Sequence, residues 1–200
     1  MKSANAAEMR QHILDTARPI MLGKGFSAVG LNEILSAAGI PKGSFYHYFG
    51  SKEAFGEALL EGYFTGYLER MDELLVRQDG TAAERLMSYW DDWRNDQESD
   101  DAACKCLVVK LGAEVCDLSE PMCAVLQDGT ERIVARIAEC IEAGAADGSL
   151  KGIDDAHRTA ATLYELWLGA TLLDKIGYRR QPLDAAMATT RIILNLPGPL

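Results

Sequence analysis

Positive charge is in short supply. The chain has 200 residues, with 20 Lys and Arg against 30 Asp and Glu and a formal net charge of -10. Spread evenly, that balance would exclude a phosphate-rich partner, because phosphate binding needs locally positive potential. Long apolar runs are missing too. No stretch approaches the length of a membrane span, and Met1 to Leu14 has no secretory h-region, so a cytoplasmic protein that avoids the membrane is expected. Cysteine is present as an odd, unevenly spaced set of 5, which does not read as a disulfide framework, since cytosolic thiols are kept reduced. Histidine is limited to His12, His47 and His157, in separate segments without zinc-type spacing, and Cys104 with Cys106 is a single close pair. No metal and no cofactor is therefore expected. Enzyme signatures are lacking as well: there is no Ser/His/Asp pattern or Gly-rich phosphate loop, and Glu139 with Glu142 reads as an exposed helix face. No β-branched alternation is long enough for a strand.

What remains is a globular composition, 48% hydrophobic and 25% charged, in a chain long enough for a small module plus a larger one. The charge is unevenly placed. Up to Lys52 the chain carries Lys2, Arg10, Arg18, Lys24, Lys42 and Lys52 against only Glu8, Asp15 and Glu33, a balance of +3, and the rest carries -13. A basic head on an acidic body has that signature.

Apolar positions recur at three- and four-residue intervals almost throughout, so the chain reads as all-α. Ile13, Ala17, Ile20, Met21 and Leu22 form one stripe, in which Pro19 is expected to bend the helix or delay its start. Leu31 to Ala38 is a short helix, with Gly30 and Glu33 standing where a cap and its reciprocal acid would be. Gly39, Ile40 and Pro41 break it before a third helix, Lys42 to Phe49, turns Phe45 and Phe49 inward. Ser51 then caps a helix running from Lys52 to about Val76. Two short helices around a Gly-containing break have helix-turn-helix geometry. Further on, Thr81 to Glu84 is a capping box, Asp96 to Asp101 an acidic loop, and Leu107 to Val115 a helix. Met122 to Ala145 reads as another, begun by Ser119 and Pro121, and Asp154 to Ile176 and Leu183 to Leu196 flank a turn.

The segment from Leu31 to Glu53, LNEILSAAGIPKGSFYHYFGSKE, resembles the DNA-reading signature of the TetR family of repressors. The resemblance implies an N-terminal three-helix helix-turn-helix domain over residues 1–51, and a helical ligand-sensing and dimerisation domain over 52–200. It also implies a homodimer through the last two long helices, on palindromic double-stranded operator DNA. Residue chemistry fits. Gly43 lets backbone approach phosphate at a helix N-terminus. Ser44, Tyr46, His47, Tyr48 and Lys52 are donors for phosphates, and Lys42 at the helix tip can reach guanine edges. Tyr46, His47 and Tyr48 cannot all point inward from one short helix, so at least two are expected in solvent. By resemblance alone, Asn32 takes another base-contacting position. Gly30 departs from the family's usual hydroxyl cap, and before Ala6 only Lys2 is available for a minor-groove arm.

A second segment, Cys106 to Glu120 (CLVVKLGAEVCDLSE), with LWLGA over Leu166 to Ala170 and Lys175 beyond, is similar to members of that family that respond to thiol modification. The resemblance implies release from DNA when an electrophile or hypohalous oxidant modifies Cys106, with Lys175 near that thiol. Cys106 begins a helix, whose dipole favours thiolate, and Lys105 adjoins it. Cys116, Cys123 and Cys140 are expected as small apolar core residues, and Cys104 as a resolving thiol or a bystander. In that reading, modification near Cys106 moves the helix from Lys52 to Val76. One alternative keeps DNA binding but makes the small-molecule inducer noncovalent, in a pocket lined by Trp90, Trp93, Tyr164 and Trp167. The other is a helical enzyme or adaptor whose helix-turn-helix contacts protein.

Overall fold

A computed structural model of the chain describes residues 2–77, 79–97, 106–177 and 180–197. Among these residues all regular structure is helical. In order come α1 (Lys2–Lys24), α2 (Leu31–Ala38), α3 (Lys42–Phe49) and α4 (Lys52–Asp72), which passes into a π-helical turn (Glu73–Arg77). Then follow α5 (Ala82–Asp96), α6 (Leu107–Leu118), α7 (Glu120–Asp147), α8 (Ala156–Gly177) and α9 (Gln181–Ile193). The all-α expectation holds.

Caps explain several boundaries. The Ser51 hydroxyl accepts the Ala54 amide at 3.0 Å to start α4, and the Thr81–Glu84 capping box opens α5. Ser119 starts α7 through the Met122 amide, 3.4 Å from its hydroxyl. Gly39 closes α2 in the left-handed region at φ 65, which a residue with a Cβ adopts only at a cost, and extended Pro41 launches α3.

Three expectations are corrected. α1 runs through Pro19 from Lys2 to Lys24, so the proline does not delay its start. The ring costs one backbone bond, to the Asp15 carbonyl, on an exposed face where water can replace it. Glu33 does not reciprocate a cap: its carboxylate lies 2.6 Å from the Lys24 ammonium, and Gly30 offers no side chain. Asp96 belongs to α5 and bonds the Arg70 guanidinium rather than standing in the expected acidic loop, whose residues 98–101 lie outside the described ones.

The described residues form two compact units. One contains α1 to α3, α4 as far as Thr65, α6, and α7 as far as Gly129. Its core includes Ile13, Met21, Ile34 and a cluster of Phe45, Phe49 and Phe55, with ring centroids 5.0 to 5.3 Å apart. The other contains the rest of α4 and α7 with α5, α8 and α9. Its core is built on Trp90, Trp93, Tyr164 and Trp167.

Candidate nucleic-acid interface and thiol sites

α3 is amphipathic in the way its length dictates. Phe45 and Phe49, one turn apart, are buried, which turns Lys42, Gly43, Tyr46 and His47 outward and leaves Ser44 and Tyr48 half-buried. The Lys42 ammonium stands 5.9 Å from the centroid of the Tyr46 ring, and His47 meets Tyr48 edge-on at 5.4 Å. A Cβ on Gly43 would meet nothing within 4 Å, so nothing in the chain itself demands glycine there. Asn32 is exposed on the first turn of α2. Lys42, Tyr46 and His47 thus put donors and positive charge on the outer side of α3, outside the Phe45 core. Lys52 differs: its ammonium donates to the Phe26 carbonyl at 2.9 Å and lies 4.6 Å from that ring's centroid, so any bond to phosphate competes with this internal one.

The loop between α1 and α2 is held from α6. The Glu114 carboxylate accepts the Phe26 amide at 3.2 Å and the Ser27 amide at 2.6 Å, and Lys110 donates to the Gly23 carbonyl at 3.2 Å. Partial burial pushes the Glu114 carboxyl upward, but hydrogen bonds from Ser27 and Phe26 and the nearby Lys110 charge outweigh it and hold it below its ordinary range. Sequence reading missed Glu114, because its partners lie 87 and 88 residues away.

Cys106 is the N-cap of α6 and half-buried, with the Leu107 amide next to it reaching the Tyr63 hydroxyl at 3.4 Å. Lys175 is exposed on the last turn of α8, in the other compact unit. Cys104 and Lys105 lie outside the described residues. Cys140 is buried, its thiol donating to the Ala82 carbonyl at 3.5 Å, and burial pushes its pKa up to about 11. The expectation that Cys116 and Cys123 are also core residues is corrected. Cys116 is exposed and Cys123 half-buried, and they are joined in a disulfide with Cα atoms 4.5 Å apart across the α6–α7 corner. Their spacing on either side of the Ser119 helix start was the available signal.

The expected aromatic pocket is corrected as well. Trp90, Trp93, Tyr164 and Trp167 are each at most 5% exposed and fill the space they were expected to line. Trp90 stacks on Trp167 at 4.9 Å, Trp93 meets Tyr164 edge-on at 5.9 Å, and the Trp93 and Trp167 indoles donate to Thr171 and Thr190, each at 2.9 Å. A cavity of about 410 Å³ exists elsewhere in that unit, lined by Met87, Ser88, Asp91, Arg191, Leu196 and Pro197. No helix of the described residues is long and apolar enough to cross a membrane.

An N-terminal helix-turn-helix with an outward-facing α3, followed by a larger all-helical region, defines a class of DNA-binding regulators. Residues 13–59 match the model of bacterial regulatory proteins of the tetR family, and residues 82–190 match the tetracyclin repressor-like C-terminal domain. The chain belongs to the TetR family. It is 40% identical to the HTH-type transcriptional repressor NemR of Escherichia coli K12 over 191 residues, 96% of each chain. A crystal structure of E. coli NemR in its reduced form superposes with a TM-score of 0.90 at 39% identity, covering 96% of this chain and 100% of that one. The transcriptional regulator AcuR of Cereibacter sphaeroides is 33% identical over 187 residues, 92% of this chain and 84% of its own.

Proposed function

We propose that the protein is a transcriptional repressor that binds palindromic operator DNA as a dimer and leaves it when an electrophile or oxidant modifies Cys106. The carrying observation is α3. Its buried Phe45 and Phe49 oblige Lys42, Tyr46 and His47 to face solvent, where a duplex can receive them. In this reading residues 1–51 are the DNA-binding domain and 52–200 the sensing and dimerising one. Asn32, Gly43, Ser44, Tyr48 and Lys52 complete the contact surface. Dimerisation through α8 and α9 is supported by Leu172, Leu173, Ile176 and Ile192, large apolar side chains exposed on those two helices. No catalytic step is assigned, and action on DNA places the protein in the cytoplasm.

Release through Cys106 has structural support. Cys106 is the residue at which α6 starts, and α6 holds the α1–α2 loop through Glu114 and Lys110 within the same compact unit. A bulky adduct at the N-cap shifts the helix and, with it, the loop. A crystal structure of the relative NemR is described as a reduced form, which supports a redox-sensitive protein. Lys175, carried over from the resemblance, is proposed to take part in sensing. A second reading, release by a noncovalent ligand, is favoured by the cavity beside Met87 and Arg191, whose volume lies in the usual range for small-molecule sites.

Gel shifts on the chain's own promoter fragment test the reading. The reduced protein is expected to bind, with affinity falling steeply as salt rises, and to release on treatment with quinone or hypochlorite. Full release of Cys106→Ser under the same treatment would overturn sensing at Cys106; absence of binding would overturn the DNA-reading role.

A further inference from the structure

Cys116 lies in the last turn of α6 and Cys123 in the first turn of α7, seven residues apart. The corner that brings them together is set by backbone and cap, not by sulfur. The Ser119 amide donates to the Val115 carbonyl, and the Cys123 amide to the Ser119 carbonyl, each at 2.9 Å. Reduced, the thiols therefore stay within reach of each other. They are also accessible, Cys116 being exposed and Cys123 half-buried, unlike the buried Cys140. An accessible disulfide in a reducing compartment is of the labile, regulatory kind rather than a structural staple.

The corner is tied to the DNA-reading head from both sides. Two positions before Cys116, Glu114 holds the Phe26 and Ser27 amides. Immediately before Cys123, Met122 packs against α4 at Gly56, where a Cβ would come within 2.3 Å of the Met122 sulfur and 2.7 Å of the Phe26 ring. The bond thus joins the two segments that grip the Phe26 loop, all within one compact unit.

We infer that Cys116 and Cys123 are a second modification site, separate from Cys106: a dithiol–disulfide couple that reacts with hypohalous acid and sets how firmly the α6–α7 corner holds the Phe26 loop. This rests on the DNA-binding reading above. The more exposed Cys116 thiol attacks the halogen of the hypohalous acid, and its proton leaves with the hydroxide as water. The Cys123 thiol then attacks the resulting sulfenyl halide, expelling halide and a proton as the S–S bond forms. Two thiols lose two electrons and two protons, and the oxidant ends as halide and water. A dithiol reductant reverses the change. Oxidation locks the corner and stiffens the loop it grips through Glu114 and Met122, so the head adjusts less readily to the duplex and the oxidised form binds operator more weakly.

The test uses full-length protein carrying Cys104→Ser and Cys106→Ser, so that the remaining accessible thiols are this pair. After stoichiometric hypochlorite, non-reducing peptide mass spectrometry is expected to find Cys116 linked to Cys123. Hydrogen exchange at Phe26 and Ser27 is expected to slow by about fivefold, and affinity for the promoter fragment to fall by about fivefold, with dithiothreitol restoring both. Adding Cys123→Ser is expected to abolish all three changes. Absence of the linked peptide, equal exchange in the two states, or equal affinity overturns the couple. No binding by either state, with the exchange difference intact, overturns the DNA-binding reading instead and leaves the couple standing.

Discussion

The aromatic side chains of α3 and those of α5 and α8 are chemically alike and are used in opposite ways. In α3, Phe45 and Phe49 point into the first compact unit, while Tyr46 and His47 stand in solvent. In the second unit, Tyr89, Trp90 and Trp93 on α5 and Tyr164 and Trp167 on α8 are all buried, stacked or edge-on against one another. Geometry makes the difference. A two-turn helix has one narrow inward face, so surplus aromatics must face water, where their hydroxyl and imidazole groups serve a partner. Long helices presenting facing stripes can bury every ring and satisfy the Trp93 and Trp167 indoles with Thr171 and Thr190, though the buried Trp90 indole N–H finds no partner among the described residues. An aromatic run therefore signals recognition in the first setting and packing in the second.

The largest effect that could break this contrast is at Trp167. Trp167→Ala removes the ring stacked on Trp90 and the bond to Thr190, and should cost about 3–5 kcal/mol of stability, read as a lower midpoint in chemical denaturation. Trp167→Phe should cost less, because a ring remains and the Thr190 hydroxyl keeps its bond to the Ala186 carbonyl. A loss below about 1 kcal/mol for the alanine variant would mean that the cluster is a loosely lined pocket after all.

The same contrast explains what was legible in the sequence. Signals spread over a few consecutive residues read correctly: the Thr81–Glu84 capping box, Ser51 and Ser119 as helix starts, and the inward Phe45 and Phe49. Each depends on local geometry that its neighbours dictate. Features decided by residues distant in sequence did not. Glu114 on α6 holds amides of the distant α1–α2 loop, Glu33 chooses Lys24 over its own helix start, and the tryptophans fill one another's space rather than lining a void. Periodicity marks which faces are apolar, not what covers them. The Cys116–Cys123 pair falls between these cases, since its spacing was visible but its closeness depends on the tightness of the corner at Ser119.

A smaller effect separates two helical glycines, Gly129 facing the core and Gly43 facing out. A Cβ on Gly129 would sit 2.3 Å from the Phe64 ring, so Gly129→Ala should overpack the first unit and cost about 1–3 kcal/mol. Gly43→Ala meets nothing within 4 Å and should leave stability unchanged or raised by about 0.5–1 kcal/mol through helix propensity. Its expected penalty is on DNA, where the methyl group holds backbone away from phosphate. Thermal melts and gel shifts on both variants should move in opposite assays. A Gly43→Ala protein that binds operator normally would place the backbone of α3 away from the duplex.

The smallest expected change concerns single polar groups on α3. Tyr46→Phe keeps the ring beside Lys42 and deletes only the exposed hydroxyl, so the melting temperature should not move. Operator affinity should fall by about fivefold, the worth of one ordinary hydrogen bond. Because the hydroxyl is uncharged, the dependence of affinity on salt should keep its slope. Lys42→Ala separates two roles for the helix tip. A lysine held on phosphate lowers the salt slope by about one when removed and weakens all sequences alike, whereas one reading a guanine edge loses discrimination at a single base pair. Titrations of both variants at several salt concentrations, on the operator and on one-base substitutions of it, distinguish these outcomes. An unchanged affinity for both variants would place the exposed aromatics of α3 outside the interface and remove the contrast with the buried cluster of α5 and α8.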